Sequence, residues 1–250
     1  MSARPRQLRS TRSTKSSKIV IVKTGEPVPS VRERRGEFHD LIERAIGPVW
    51  QGGYDVVDVR TDTPLPASDA AAAFVITGSA ANVPTREPWM LRAEGWLREV
   101  AASGTPTFGI CFGHQILAQA LGGEVQRNPH GREMGTVGIE RVAHDPIFEG
   151  LPDRFHANVT HIDSVVQAPP GAVSLARSAL ESHQALRFTE TCYGVQFHPE
   201  IDAEVMRAYV ESRRELLEAE GFEVEGMLAR IAEGEAGRET LRNFVRRFLG

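Results

Sequence analysis

Ile19-Val20-Ile21-Val22 is an unbroken β-branched run, the pattern of a strand buried on both faces. Phe38, Leu41, Ile42, Ala45 and Ile46 then recur at helical spacing and describe one apolar face. Tyr54 to Val59 reads as a second strand and Ala71 to Ile76 as a third, which runs into Thr77-Gly78-Ser79. A helix follows Pro88, with Trp89, Ala93, Trp96, Leu97 and Val100 on one side. Thr107 to Ile110 is a fourth strand, followed by Cys111 and a helical stripe of Leu117, Ala120 and Leu121 that stops at Gly122-Gly123. Strand alternating with helix through short turns predicts an α/β fold, a mainly parallel open sheet flanked by helices on both faces.

Residues 124–197 change character. Shorter β-rich pieces (Gly135–Val142, Phe155–Val166, Val173–Ser178, Ala185–Phe197) alternate with turn signals such as Pro169-Pro170-Gly171. They are expected to be added antiparallel strands and loops on the same core. Beyond Glu200 the pattern is helical, with Val205, Tyr209 and Leu216 on one side. A last helix places Leu241, Phe244, Val245, Phe248 and Leu249 at i, i+3, i+4, i+7 and i+8. The acidic, Gly-containing stretch 218–237 is expected to be loosely held. The organisation expected is a basic tail over 1–17, one domain over 18–202, and a helical extension over 203–250 packed on that domain.

Composition narrows the class. The chain of 250 residues is 41% apolar and 25% charged, ordinary globular proportions. No apolar run approaches the roughly 20 residues of a membrane helix, so no membrane association is expected. The net charge is −4 even though residues 1–18 carry only basic charge, so the body is acidic and nucleic acid is not an expected partner. The Ser-rich head lacks the apolar core of a secretory signal, and its want of amphipathic period argues against a transit peptide. Two cysteines suit free thiols in a reducing, cytoplasmic setting.

The candidate chemistry begins at Gly109-Ile110-Cys111-Phe112-Gly113-His114-Gln115. A cysteine between two glycines, after a strand and before a helix, is the thiol counterpart of a nucleophile elbow. Such a turn strains its central residue, and the glycines remove side chains that would clash. The thiol is expected to stand exposed at the sheet's edge, where the positive end of the helix favours a negative sulfur. The amide of Phe112 is left to donate to an oxyanion. Most free cysteines are only small buried hydrophobes, but that reading leaves the two bracketing glycines unexplained.

A thiol nucleophile needs a base, and the base an orienting group. Gln196-Phe197-His198-Pro199-Glu200 offers both. Pro199 biases His198 toward extended backbone, in which residues i and i+2 project together, so Glu200 can hold the imidazole.

These segments resemble the class I, triad-type glutamine amidotransferases, especially stand-alone proteins similar to the glutaminase half of GMP synthase. The resemblance runs from about Ile19 to Glu200. Weaker agreeing blocks are Ile76–Ser79, Arg132–Gly135 and His161-Ile162-Asp163. It implies a flavodoxin-like fold and a thioester mechanism. Cys111 would attack the γ-carboxamide of glutamine, His198 would move the proton and Glu200 would orient His198. The amides of Gly78 and Phe112 would form the oxyanion hole. Gln115 would hydrogen-bond the substrate. Backbone near Thr160, His161 and Ile162, with the loop of Glu133, Met134 and Gly135, would grip its amino and carboxylate ends. No cofactor and no metal are implied.

Members of this family pass ammonia to a synthetase, and the 50 residues after Glu200 are too few for one; no G-x-x-x-x-G-K-[ST] loop occurs. Either a separate synthetase or acceptor subunit is expected, or the enzyme acts alone on larger γ-glutamyl amides as a peptidase or transferase. A non-catalytic relative is disfavoured by the presence of Cys111, His198 and Glu200 together. The remaining groups have plainer readings. His114 is expected to be a packed helix residue, and His161 with Asp163 a structural or substrate-contact pair. His130, His144, His156 and His183 lack metal-ligand spacing. Cys192 is expected to be inert, and the arginines near 32–35 and 242–247 to be solvated helix faces.

Overall fold

A computed structural model describes residues 17–250. The tail expected over residues 1–17 therefore lies, apart from Ser17, outside the described residues. Five strands make the parallel part of the sheet: β1 (Lys18–Lys23), β2 (Gly53–Asp58), β3 (Ala73–Ile76), β4 (Thr107–Ile110) and, much later, β11 (Cys192–Val195). Between β4 and β11 come β5 (Glu124–Arg127), β6 (Glu133–Arg141), β7 (Arg154–His161), β8 (Asp163–Gln167), β9 (Val173–Arg177) and β10 (Ala185–Arg187). The main sheet has the order β2-β1-β3-β4-β11-β10-β9-β6-β7, antiparallel from β11 outward, while β5 and β8 pair separately.

The helices are α1 (Pro29–Arg35), α2 (Phe38–Ile46), α3 (Pro88–Ser103), α4 (Phe112–Ala120), α5 (Ala203–Ser212), α6 (Arg214–Ala219), α7 (Val224–Arg230) and α8 (Glu235–Leu249). Alternation along β1 sorts them. Ile19 and Ile21 face a core with Ile42, Ile46, Leu241 and Phe244, beneath α2 and α8. Val20 and Val22 face the opposite core with Trp96, Leu97, Ile116 and Leu117, beneath α3 and α4. Each fully buried large apolar side chain contributes roughly 1.5–3 kcal/mol, enough for Leu241, Phe244 and Val245 to hold α8 against β7 and α2.

Four expectations change. The piece expected over 155–166 is two strands in different sheets, broken at Ile162, where the His161 ring Nδ1 donates to the Asp163 carbonyl (3.0 Å). The piece expected over 185–197 is a hairpin, and its second arm, β11, joins β4 in parallel rather than antiparallel sense. The loosely held stretch contains α7, whose Val224 and Met227 enter a third core with Val205, Met206 and Tyr209. Leu216 is not on the buried side: it is exposed and Leu217 is buried, because the helical phase breaks at Arg213 between α5 and α6. Among the described residues no helix is long and apolar enough to cross a membrane.

Candidate active site

Cys111 follows β4 and caps α4 with φ 51° and ψ −102°, one of two non-glycine residues with positive φ among those described. Its amide donates to the Val195 carbonyl (2.8 Å), which fixes the turn to β11. The glycines serve close packing. A Cβ on Gly109 would lie 2.5 Å from the carbonyl carbon of Gly113, and one on Gly113 would lie 2.5 Å from the Ile76 carbonyl oxygen. The thiol is not exposed at the edge as expected. Cys111 is 6% accessible and opens instead onto two adjoining crevices of about 500 Å³ and about 70 Å³.

The parallel pairing of β11 with β4 brings the second half of the site into reach. Cys192 to Val195 lie beside Thr107 to Ile110 in register, so the chain leaving β11 emerges beside the elbow. Glu200 reaches His198 by a route other than extended chain. The Ile201 amide donates to the His198 carbonyl (3.3 Å), closing a turn with Pro199 at its second position. Within it His198 Nδ1 donates to Glu200 Oε1 at 2.7 Å, both residues being buried. Burial pulls the imidazole toward its neutral form, but the charge of Glu200 and then that of Cys111 outweigh it and carry the His198 pKa up to about 10. The outer nitrogen, Nε2, has no hydrogen-bond partner of normal length among the described residues. Cys111 raises the ring's hold on its proton both by its charge and by side-chain contact.

Gly78 sits against both groups. A Cβ there would lie 3.0 Å from His198 Cε1 and 3.8 Å from Cys111 Cβ. Its carbonyl accepts from the hydroxyls of Thr24 and Thr77, each at 3.0 Å, so the peptide is fixed. Phe112 is the first residue of α4, where amides lack intrahelical acceptors. The Gln115 amide nitrogen donates to the Asp163 carbonyl and to Gln196 Oε1, both at 2.9 Å. Only its oxygen is left for a ligand, so it can accept but not donate.

The remaining expected contacts divide. Gln115, Thr160, His161 and Ile162 line the smaller crevice with Cys111, and Cys111 Sγ lies 3.9 Å from the Thr160 carbonyl oxygen. Glu133, Met134 and Gly135 line neither crevice. Glu133 accepts from Ser178 Oγ (2.6 Å) and Gln184 Nε2 (2.6 Å) and contacts His161 Nε2 (3.1 Å). Met134 is buried among Ile201, Met206 and Met227, and Gly135 abuts Met227. This stretch begins a strand, and its side chains are spent on holding β6 and His161 in place.

Arg132, Tyr209 and Arg213 line the crevices, although the sequence did not mark them as site residues. Their signal was hidden: Tyr209 matched an apolar stripe, and an arginine between two short helices looks like any surface arginine. His114 is wholly buried against Phe188 and Gly194, and burial drives its pKa down to about 3. Cys192 is buried in the α3–α4 core, which pushes its thiol up. Two expected solvated faces are not solvated throughout. Arg35 pairs with Asp202 (2.7 Å) and Glu204 (2.6 Å), and Arg242 Nε donates to the Ala45 carbonyl (2.9 Å), docking α8 on α2.

A parallel sheet with a cysteine elbow at one strand end and a His–Glu pair beyond the adjacent strand defines a thiol-centred α/β protein. The profile of the glutamine amidotransferase class-I family matches residues 42–214, and the chain belongs to that family. The GMP synthase [glutamine-hydrolyzing] of Thermomicrobium roseum is 42% identical over 128 residues, 51% of this chain but only 23% of that protein. A GMP synthase [glutamine-hydrolyzing] subunit of Methanopyrus kandleri is 39% identical over 173 residues, 68% of this chain and 87% of that protein. The chain thus spans under a quarter of the first relative and most of the second. A solved glutamine amidotransferase from Methylobacillus flagellatus is 22% identical and has the same fold, with a TM-score of 0.75 over 93% of this chain and 94% of that one.

Proposed function

We propose that the protein is a cytoplasmic glutamine amidotransferase that hydrolyses the γ-amide of glutamine through a Cys111 thioester. The observation that carries this reading is the strained elbow after β4 lying beside the His198–Glu200 pair, held in the turn that follows the parallel neighbour β11. Cys111 sulfur, its proton passed to His198, attacks the amide carbon, and the amides of Gly78 and Phe112 receive the developing oxyanion. The carbon–nitrogen bond breaks as His198 gives its proton to the departing nitrogen, which leaves as ammonia. Water, losing a proton to His198, then cleaves the thioester to glutamate, and His198 returns that proton to the departing sulfur, restoring the thiol. Glu200 holds the ring and supports its positive charge throughout.

A separate synthetase protein is the proposed acceptor of ammonia, which accords with the relative from Methanopyrus kandleri being named as one subunit of its enzyme. The test is ammonia release from glutamine by the purified chain, alone and with an ATP-dependent synthetase. Release of ammonia that disappears in Cys111→Ala supports the reading, and no release under either condition refutes it. A second reading, hydrolysis of larger γ-glutamyl amides, is favoured by the crevice of about 500 Å³ on the His198 side of Cys111, far more than ammonia requires. Turnover of γ-glutamyl dipeptides by the chain alone, faster than that of glutamine, would select it.

A further inference from the structure

The crevice at Cys111 holds a cation that the proposed chemistry does not use. Arg213 lies at the break between α5 and α6, beyond the His–Glu turn. Its guanidinium donates to Thr160 Oγ1 and lies 5.1 Å from the centroid of the Tyr209 ring. Among the described residues no carboxylate forms an ion pair with it. Its neighbours differ: Arg214 pairs with Glu211 and Glu225, Arg35 with Asp202 and Glu204, and Arg132 with Glu220. Acids are abundant on these helices, yet none reaches Arg213.

A largely buried charge without a counter-charge is costly. Burial is the largest influence and weakens the protonated form of Arg213, as does the charge of Arg132, while Tyr209 and Cys111 only partly offset them. An anion entering the crevice would relieve both. Arg213, Cys111 and Thr160 line both crevices, and the smaller one adds Arg132 and Gln115 to them. In a γ-glutamyl substrate the α-carboxylate carbon is four carbon–carbon bonds from the carbon that Cys111 attacks, about 5 Å in extended form. The smaller crevice, about 70 Å³, suits a chain of that length rather than a second molecule.

We propose that Arg213 binds the α-carboxylate of the γ-glutamyl substrate, so that the helices following Glu200 complete the substrate site. This rests on the γ-glutamyl reading above and names a residue for one end of that substrate. Arg132, tethered to Glu220, adds positive potential without being the direct partner. A fixed guanidinium fork matches a carboxylate in geometry as well as in charge.

The experiment compares two alkylating probes of Cys111 in the full chain and in Arg213→Gln and Arg213→Lys. One is 6-diazo-5-oxo-L-norleucine, a glutamine analogue with an α-carboxylate; the other is iodoacetamide, which has none. Arg213→Gln is expected to slow labelling by the carboxylate-bearing probe about 10²-fold and iodoacetamide labelling less than about threefold. Arg213→Lys should fall between, and the KM for glutamine should rise more than kcat falls. If Arg213→Gln does not fold, the same comparison on Arg213→Lys decides, with about a tenfold selective loss expected. Equal losses with both probes would mean that Arg213 merely holds Thr160, and no loss would mean that it binds nothing; either overturns the proposal while leaving the γ-glutamyl reading intact. A wild-type chain that reacts with iodoacetamide but neither with the analogue nor with γ-glutamyl amides would overturn that reading, and the proposal with it.

Discussion

Replacing Glu200 with Gln keeps the size of the side chain and removes its charge. The His198 Nδ1 to Glu200 Oε1 distance is 2.7 Å, inside a pocket where both residues are buried. Unit charges about 4 Å apart at an effective dielectric constant of about 20 attract by about 4 kcal/mol, or about three pKa units. Loss of that attraction leaves burial, the largest influence on His198, opposed only by Cys111. The imidazole should fall from about 10 toward the range of a free histidine. At pH 8 most of the variant's rings would then lack the proton that the departing nitrogen needs. The expected loss in kcat/KM is about 10²–10³-fold, within the span seen for orienting carboxylates. The assay is ammonia release from glutamine between pH 5.5 and 10.5, in which the alkaline limb should move down by about three pH units. An alkaline limb superimposable on that of the wild type would refute the orienting and charge-supporting role of Glu200. The sign for stability follows from the same shift. The folded chain keeps the His198 proton up to about 10, whereas an unfolded histidine keeps it only to about 6.5. This contribution is full below the unfolded value and is lost as pH rises toward 10, so the alkaline decline of Tm should be shallower in the variant.

Cys111→Ala should abolish glutamine hydrolysis while calorimetry still detects glutamine binding, because the sulfur forms the bond and does not anchor the substrate's ends. Gly78→Ala should lower kcat about tenfold with Tm little changed, since its methyl would press on His198 Cε1 at 3.0 Å and the ring is already pinned by Glu200; unaltered kcat would show that the ring yields freely. His114 stays neutral when folded down to about pH 3, whereas the unfolded chain takes up a proton near 6.5. Its contribution is therefore present above about 6.5 and lost as pH falls toward 3, so His114→Gln should flatten the acid limb of a denaturation curve followed by circular dichroism.

Local pattern determined much of this protein. Strand β1, helices α2, α3 and α8, and the Cys111 elbow are each written in a few consecutive residues, because burial on one face or two imposes a period that a short window displays. The nearness of His198 and Glu200 in sequence made their contact legible, but the extended chain expected to make it is a turn instead. Helix α1 left no such mark, since in seven residues it buries only Val31. Tertiary structure alone decided that β11 lies parallel to β4, and thus that a histidine far along the chain meets the thiol. It alone turned Glu133 away from the crevice and Arg213 into it. Strand partners and the surroundings of a charged side chain are set by which distant surfaces pack together, and that choice is a property of the whole fold's burial rather than of any stretch of sequence.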